Sequence, residues 1–267
     1  MLVPAARART ALVVLSQWLA NPSHPSLATR QSWLTEQLFP LLPDAAHVTL
    51  NPGFFADNYV GNGLIGLAAQ TGVLPIPLGS GRNAPPSNED IARAAAAVLR
   101  DPAAHHGRRY RPTGPELLTS AEIAAAVGEA VGRRVRHVDM PMPMFPRALR
   151  VRGSRTGIDT AQIATVRWYY DESRLGTWEI AAPTTHVPDV TGQPAEDFRA
   201  IARHYAARPE VRRTMGNRAR AAWDLVRIGF TPTPRLDRWV RSRREPVPPV
   251  PEFSRDSAVW LAEHAPT

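Results

Sequence analysis

Two polar segments, each directly after a short apolar run, are the strongest candidates for a binding site. The run at residues 11–16 (ALVVLS) ends in a serine, and the run at residues 47–50 (HVTL) leads into an asparagine and a proline–glycine pair. Such runs are typical of buried parallel strands, and open parallel sheets bind ligands beyond the carboxyl ends of their strands. The candidate residues are Ser16, Gln17, Asn51, Pro52, Gly53 and Phe54.

The second of these segments suits a flat ligand. Gly53 has no side chain, so a ligand can approach the backbone closely there, and Phe54 or Phe55 can form a wall for a planar ring. The same residues also fit an ordinary turn with buried aromatic side chains. Spacing alone leaves both interpretations open.

Other residues that could support chemistry occur in patterns that favour structural roles. Gly79 and Gly81 form a lone G-x-G pair after a proline-broken strand, which predicts a turn and not a phosphate cradle. His105 and His106 have no carboxylate or thiol at ligand spacing, so we expect a solvated turn and no metal site. The acidic pair after Ser87 lies at a predicted helix N-terminus, which explains its charge electrostatically.

The composition excludes several mechanisms. None of the 267 residues is a cysteine, which excludes disulfides, thiolate catalysis and cysteine–metal sites. All 32 basic residues are arginines, so a catalytic pair in which a lysine lowers the pKa of a tyrosine cannot form.

The charge and hydropathy patterns narrow the set of partners. The net charge of +8 comes from scattered arginines without interleaved aromatic residues, so we expect no nucleic-acid partner. No apolar run is long enough to span a bilayer, so we expect no membrane partner, and a cytoplasmic location is the default expectation.

The order of the patterns predicts an α/β fold. A strand at 11–16, a helix at 26–42, a turn at Pro43 and Asp44, and a strand at 47–50 form a βαβ unit. Ser87 and Asp90 predict a capping box at the start of a helix that ends before Asp101. Residues 58–71 are predicted as a helix, or as a helix with irregular ends because its glycines weaken it. Another helix is predicted at 119–131, capped by Thr119 or Ser120, and strands are predicted at 72–77, 108–111 and 135–138.

The sequence pattern changes near residue 140 from alternating strands and helices to a proline-rich segment followed by helices. The segment 140–146 (MPMPMFP) predicts a linker or lid, and the residues up to about 228 are helical in pattern, with breaks at 183–188 and around Pro209. Residues 246–251 (PVPPVP) predict an extended polyproline tether or a ligand of an SH3-type domain. We therefore predict a first domain over 1–140 and a mostly helical extension with a proline-rich tail over 141–267.

Five segments occur along the chain in a characteristic order: VVLSQW at 13–18, TEQLF at 35–39, NPGFFADN at 51–58, GRRYRPTGPELLTSAEIA at 107–124 and TGQPAEDF at 191–198. This ordered set resembles the later part of the NmrA-like family of atypical short-chain dehydrogenases/reductases. The match extends from about Ala5 to Ala207. The resemblance implies a Rossmann-like, doubly wound parallel sheet that binds NAD(P), with NADP(H) favoured. It places Ser16, Gln17 and the segment 51–54 beside the nicotinamide.

The family's glycine-rich turn, which holds the pyrophosphate on a helix N-terminus, precedes the matched region and has no counterpart here. Met1 corresponds to a position inside the helix before the family's fifth strand. We therefore expect an N-terminally truncated Rossmann-like domain, either a natural fragment or the product of a misassigned start. Residues 1–140 would be the C-terminal part of that domain with substrate-side elements. NAD(P) binding by these residues alone is expected to be weak or absent.

The resemblance implies an NAD(P)H-dependent oxidoreductase that acts on a small organic substrate. Its catalytic residues are not identified by the sequence; Ser16, Trp18 and His24 are the nearest candidates for a proton donor. One alternative is a non-catalytic, NAD(P)-sensing protein that regulates a protein partner, which the absence of a tyrosine–lysine pair favours. Another is a fragment that binds no cofactor.

Overall fold

The structure, a computed structural model, describes residues 11–42 and 45–264, with the side chains of residues 154–156 left out. The described strands are β1 (Leu12–Leu15), β2 (His47–Leu50), β3 (Val73–Pro75), β4 (Arg109–Tyr110) and β5 (Arg136–Val138). The helix-like segment expected before β1 and the turn expected at Pro43 and Asp44 lie outside the described residues.

The helices of the first half alternate with these strands, as the βαβ pattern predicts. They are α1 (Leu27–Leu38), α2 (Asp57–Val60), α3 (Leu64–Thr71), α4 (Asn88–Arg100) and α5 (Ser120–Val131). The second half is helical, with α6 (Phe145–Thr156), α7 (Thr160–Arg174), α8 (His186–Thr191), α9 (Phe198–Ala206), α10 (Met215–Phe230), α11 (Leu236–Ser242) and α12 (Ala258–His264).

The strands form two parallel sheets within the described residues. Strands β1, β2 and β4 lie side by side in that order, and β3 pairs with β5. The β1–β2 register runs from Leu12 opposite His47 to Leu15 opposite Leu50, so the carboxyl ends of the two strands are level. The predicted α/β class with parallel strands is confirmed.

Local signals explain where most helices begin and end. The Thr119 hydroxyl and the Glu122 carboxylate form a complete capping box at α5, and Gly132 ends that helix with a left-handed backbone at φ +64°. The capping box predicted at α4 is only half formed. Ser87 accepts a hydrogen bond from the Asp90 N–H, but the Asp90 carboxylate accepts from the Glu196 N–H at 2.8 Å instead of returning to the cap.

The helix predicted at 58–71 is interrupted, because its glycines favour a turn. Gly61 ends α2, and Gly63 precedes α3 with φ +75°, a conformation that side chains disfavour. The segment 140–146, predicted as a linker, ends where α6 begins at Phe145 with a proline in its first turn.

One large hydrophobic core joins both halves of the chain. Its buried side chains include Trp18, Tyr59 and Leu74 from the first half and Trp178 and Trp260 from the second. The segment after the polyproline tail returns to this core, since the Glu252 N–H donates to the Ser23 carbonyl at 2.9 Å. Among the described residues, no helix combines the length and the apolar character that crossing a membrane requires.

Candidate functional site

The structure brings the two predicted strand ends together. The Ser16 N–H donates to the Leu50 carbonyl at 2.8 Å, and the Trp18 N–H donates to the Pro52 carbonyl at 3.3 Å. The parallel pairing therefore continues beyond the strands into both polar segments. All six candidate residues lie at this carboxyl edge of the three-stranded sheet.

Ser16 and Gln17 are the half-buried members of the set, and both are held by helix α1. The Ser16 hydroxyl donates to the Glu36 carboxylate. The Gln17 amide donates to the Ser32 hydroxyl at 2.8 Å and accepts from the Thr29 hydroxyl at 3.2 Å. Helix α1 thus fixes the orientation of both side chains, since these three partners lie on successive turns of one helix.

Glu36 is a buried carboxylate at the centre of this site. It accepts from the Asn51 amide at 2.7 Å, and Arg109 on β4 places a guanidinium nitrogen 3.0 Å from its other oxygen. Burial raises the pKa of Glu36, although Ser16, Arg109 and Asn51 all act in the opposite direction. The site therefore holds a carboxyl group that accepts a proton more readily than an exposed glutamate does.

The other four candidates lie behind this polar layer. Asn51, Pro52, Gly53 and Phe54 are all buried. The Asn51 side-chain NH₂ group also donates to the Gln17 backbone carbonyl at 3.0 Å. The side-chain oxygen of Asn51, Oδ1, is buried without a hydrogen-bond partner among the described residues.

Protein atoms occupy the surroundings of Gly53 and Phe54. A Cβ atom at Gly53 would lie 3.6 Å from Pro86 and Thr113 side-chain atoms, which is ordinary packing distance. The Phe54 ring stacks on Trp178 with centroids 5.1 Å apart and meets Tyr170 edge-on at 5.2 Å. The space in which a ligand ring was expected against Phe54 is filled by these aromatic side chains.

Two of the three residues expected from sequence as proton donors, Trp18 and His24, are buried. The His24 Nδ1 accepts from the Ser26 N–H at 2.9 Å, so Nε2 carries the proton and donates to Glu172 at 3.1 Å. Trp18 is almost fully buried; its backbone carbonyl accepts from the indole N–H of Trp260 at 2.8 Å, and its own indole N–H has no hydrogen-bond partner among the described residues. Ser16 is the donor that remains accessible.

Sequence reasoning missed three residues of this site. Glu36 lies within the TEQLF segment, and Arg109 lies in the short strand predicted at 108–111. Tyr169 was also missed; its hydroxyl interacts with the Gln17 and Thr29 side chains, and burial raises its pKa. The available signal was an acidic residue on the apolar face of α1, where an unpaired carboxylate would be costly.

The C-terminal segment lies against the same site. Glu263 on α12 pairs with Arg109, and its carbonyl accepts from Arg111 at 2.5 Å. The remaining motifs have structural roles: Gly79 has φ +60°, and the His105 ring bonds the Tyr110 hydroxyl at 2.7 Å. Within the described part of the chain, no group of three histidine, aspartate or glutamate side chains is arranged to hold a metal.

Comparison with known proteins gives related oxidoreductases. No family model matches the chain. The NAD(P)H azoreductase of Xenophilus azovorans is 31% identical over 162 residues, which is 59% of this chain and 52% of that protein. Quinone oxidoreductase 2 of Escherichia coli is 27% identical over 52% of this chain and 49% of its own. The chain thus spans about half the length of these curated relatives.

Solved structures share the fold over a larger region. A crystal structure of the NADPH-dependent quinone oxidoreductase from Escherichia coli superposes with a TM-score of 0.64 at 20% identity, over 76% of this chain and 70% of that one. The triphenylmethane reductase of Citrobacter sp., complexed with NADP(H), superposes with a TM-score of 0.62 at 18% identity, over 76% of this chain and 68% of that one.

These matches, with the parallel sheets described above, define the fold as the Rossmann-type α/β fold. The chain shares this fold with them, and its sequence similarity to the azoreductase agrees with the resemblance to the NmrA-like family of atypical short-chain dehydrogenases/reductases drawn from its sequence.

Proposed function

We propose that this chain provides the nicotinamide-side part of an NAD(P)H-dependent oxidoreductase that reduces a small organic molecule, with NADP(H) as the favoured cofactor. The observation that carries the proposal is the junction of Ser16 and Gln17 with Asn51 and Pro52 at the carboxyl edge of a parallel sheet. The names of the relatives support it, because azoreductase and quinone oxidoreductase both denote reductions of small organic molecules.

The residues at this edge fit a nicotinamide in two respects. The half-buried Ser16 and Gln17 are the members of the candidate set that a ligand can reach, and they take the direct contacts in this proposal. The unpartnered Asn51 carbonyl oxygen lies directly behind them and is an acceptor for an amide N–H. Gly53 and Phe54 are buried, and in this proposal they contribute by packing behind Ser16 and Gln17, without contacting the cofactor.

The nicotinamide supplies the hydride when it is bound, and the protein must supply a proton. A tyrosine–lysine pair is not available, because the chain has no lysine. The Ser16 hydroxyl takes this role in our proposal. It delivers its proton to the reduced substrate and regains one from Glu36 after that carboxyl has itself bound a proton, which burial favours by raising the pKa of Glu36.

The first test is cofactor binding, measured by NADPH fluorescence in a protein that joins this chain to the glycine-rich N-terminal part of an NmrA-like protein, because these residues alone are expected to bind NAD(P) weakly or not at all. We expect Ser16→Phe to abolish binding, because the added ring occupies the space beside the strand end. Thr35→Phe is the matched control, since it adds the same ring on helix α1, where the Thr35 hydroxyl bonds only its own helix at 2.8 Å. Equal NADPH affinity in both folded variants would contradict the placement of the nicotinamide.

The second test is turnover of NADPH with a quinone and with an azo dye. Glu36→Gln should lower kcat by about tenfold or more at neutral pH, because the amide cannot return a proton, and should leave NADPH affinity within about twofold. Binding of NADPH without oxidation by any acceptor would favour the sensor alternative. Unchanged kcat in Glu36→Gln would remove Glu36 from the mechanism.

A further inference from the structure

A cavity of about 730 Å³ lies between elements of both halves of the chain, away from the strand ends at Ser16 and Asn51. Its walls come from α3, the β3–β5 sheet, α6, α7 and α10, which contribute, for example, Leu67, Ile76, Phe145, Val166 and Ile228. Well-packed interiors leave few voids larger than a water molecule, whereas small-molecule sites measure about 300–1,000 Å³. The size of this cavity is that of a ligand site.

The side chains that line the cavity are mostly apolar and carry little net charge. Arg152 is the one formally charged side chain among the described residues of the lining. Asp224 acts on it as a nearby counter-charge, while burial lowers the pKa of Arg152 to about 10. The charge of the guanidinium is therefore already balanced from within the protein, and the cavity has no need of an anionic ligand.

Polar groups in the lining can orient a ligand. Gln162 and Thr165 on α7 both border the cavity. The Gln162 side-chain oxygen accepts from the Asp159 N–H at 2.9 Å, which leaves its NH₂ group as the part that can donate. A ligand that matches these walls is apolar over most of its surface and carries a hydrogen-bond acceptor.

An aromatic layer separates this cavity from the proposed cofactor site. Tyr170 borders the cavity, and its ring packs edge-on against Phe54, which stacks in turn on Trp178. None of the six candidate cofactor residues lines the cavity. Its α10 wall also lies beyond Ala207, where the sequence resemblance to the NmrA-like family ends.

We propose that this cavity is a second small-molecule site, which binds a neutral, largely apolar organic molecule with a hydrogen-bond acceptor. The size, the balanced charge and the donor group of Gln162 select this class of ligand. The site is separate from Ser16 and Gln17, so occupancy does not require the dinucleotide.

The test is a titration of the full chain with Nile red, a neutral and largely apolar fluorophore, in the absence of any dinucleotide. We expect saturable binding of one dye per chain. Leu225→Trp enlarges a side chain of the α10 wall and should weaken binding at least tenfold. Val226→Trp is the matched control, because Val226 is outside the lining and as exposed as Leu225 (47% and 44%), and should change affinity less than twofold.

Two further variants address misfolding of Leu225→Trp and binding of the dye to the exposed surface of α10. Ala161→Phe narrows the cavity from the half-buried side of α7 and replaces Leu225→Trp if the latter does not fold, as judged by thermal melting. Trp223→Glu removes the exposed apolar surface of α10, where Trp223 is 60% exposed, without touching the cavity. Loss of dye binding in Trp223→Glu with full binding in the cavity variants would overturn the proposal. Equal binding in all folded variants would also overturn it.

Discussion

Glu172 is a fully buried carboxylate on which three distant segments meet. One oxygen accepts from the His24 ring at 3.1 Å and from the Ser254 N–H at 2.6 Å, and the other accepts from the Thr177 hydroxyl. These partners come from the loop after β1, the turn after α7 and the C-terminal segment. A single side chain thus joins the strand-end loop to both later parts of the chain.

Replacing Glu172 with alanine should destabilise the fold strongly. The change leaves three buried donors without an acceptor, and each unsatisfied group costs about 1–3 kcal/mol. We expect a loss of roughly 3 kcal/mol or more in the free energy of unfolding, measured with urea. The exposed Glu89→Ala on α4 is the control and should stay within about 0.5 kcal/mol of the parent protein. Similar midpoints for the two variants would contradict this role of Glu172.

Gly81 and Gly53 should differ in how much an added methyl group destabilises the fold. A Cβ atom at Gly81 would lie 1.9 Å from the Ser173 carbonyl oxygen, so the backbone of α7 would have to move. At Gly53, the added atom meets its neighbours at 3.6 Å. We expect Gly81→Ala to cost about 1–3 kcal/mol and Gly53→Ala to cost well under 1 kcal/mol, by thermal and urea unfolding. A larger cost at Gly53 would show that its turn cannot accept a side chain.

At the scale of elements, the C-terminal helix α12 is fixed against the loop after β1 by aromatic packing. Trp260 is fully buried, and its ring stacks on His264 with centroids 3.8 Å apart. The His264 ring also lies 5.2 Å from Trp18. Burial, with help from the charges of Arg111 and Arg109, lowers the pKa of His264 to about 3.

This depressed pKa should make α12 a source of acid sensitivity. The folded protein favours neutral His264, whereas the unfolded chain binds a proton near pH 6.5, so the unfolded state binds more protons below that pH. The stabilisation is complete above about pH 6.5 and is lost as the pH falls toward 3. His264→Phe keeps a ring on Trp260 and should reduce the pH slope of the unfolding free energy by up to about 1.4 kcal/mol per pH unit. The exposed His204→Phe should leave the slope unchanged.

The elements were predictable from sequence where the signal is local. The strand at 47–50 follows from an apolar run, and the cap of α4 at Ser87 follows from a hydroxyl three residues before an acidic residue. The meeting of the two strand ends follows from parallel pairing. The Glu36–Arg109 pair and the docking of Trp260 were not predictable, because these contacts join residues far apart in sequence. The polyproline tail carries no local signal that the chain returns to the core after it.

At the scale of the whole molecule, one core crosses the boundary predicted near residue 140. Phe54 from the first half packs between Trp178 and Tyr170 from the second, and Tyr59 meets Phe198 edge-on at 6.0 Å. Polar contacts also cross it, since the Asp90 carboxylate accepts from the Glu196 N–H. The division into residues 1–140 and 141–267 stays a prediction about organisation along the chain.

The shared core leads us to expect a single cooperative unfolding transition. Removing the second half would expose the apolar faces of Phe54 and Tyr59, and removing the first half would expose Trp178, so neither half keeps its core alone. Urea unfolding followed by tryptophan fluorescence and by far-ultraviolet circular dichroism should give coincident curves with one midpoint. Phe54→Ala removes the ring at the junction and leaves a cavity in the shared core. We expect it to lower the free energy of unfolding by about 3–5 kcal/mol and to move the midpoints of both curves together. Two separated transitions, of which Phe54→Ala moved only one, would show instead that the halves unfold independently.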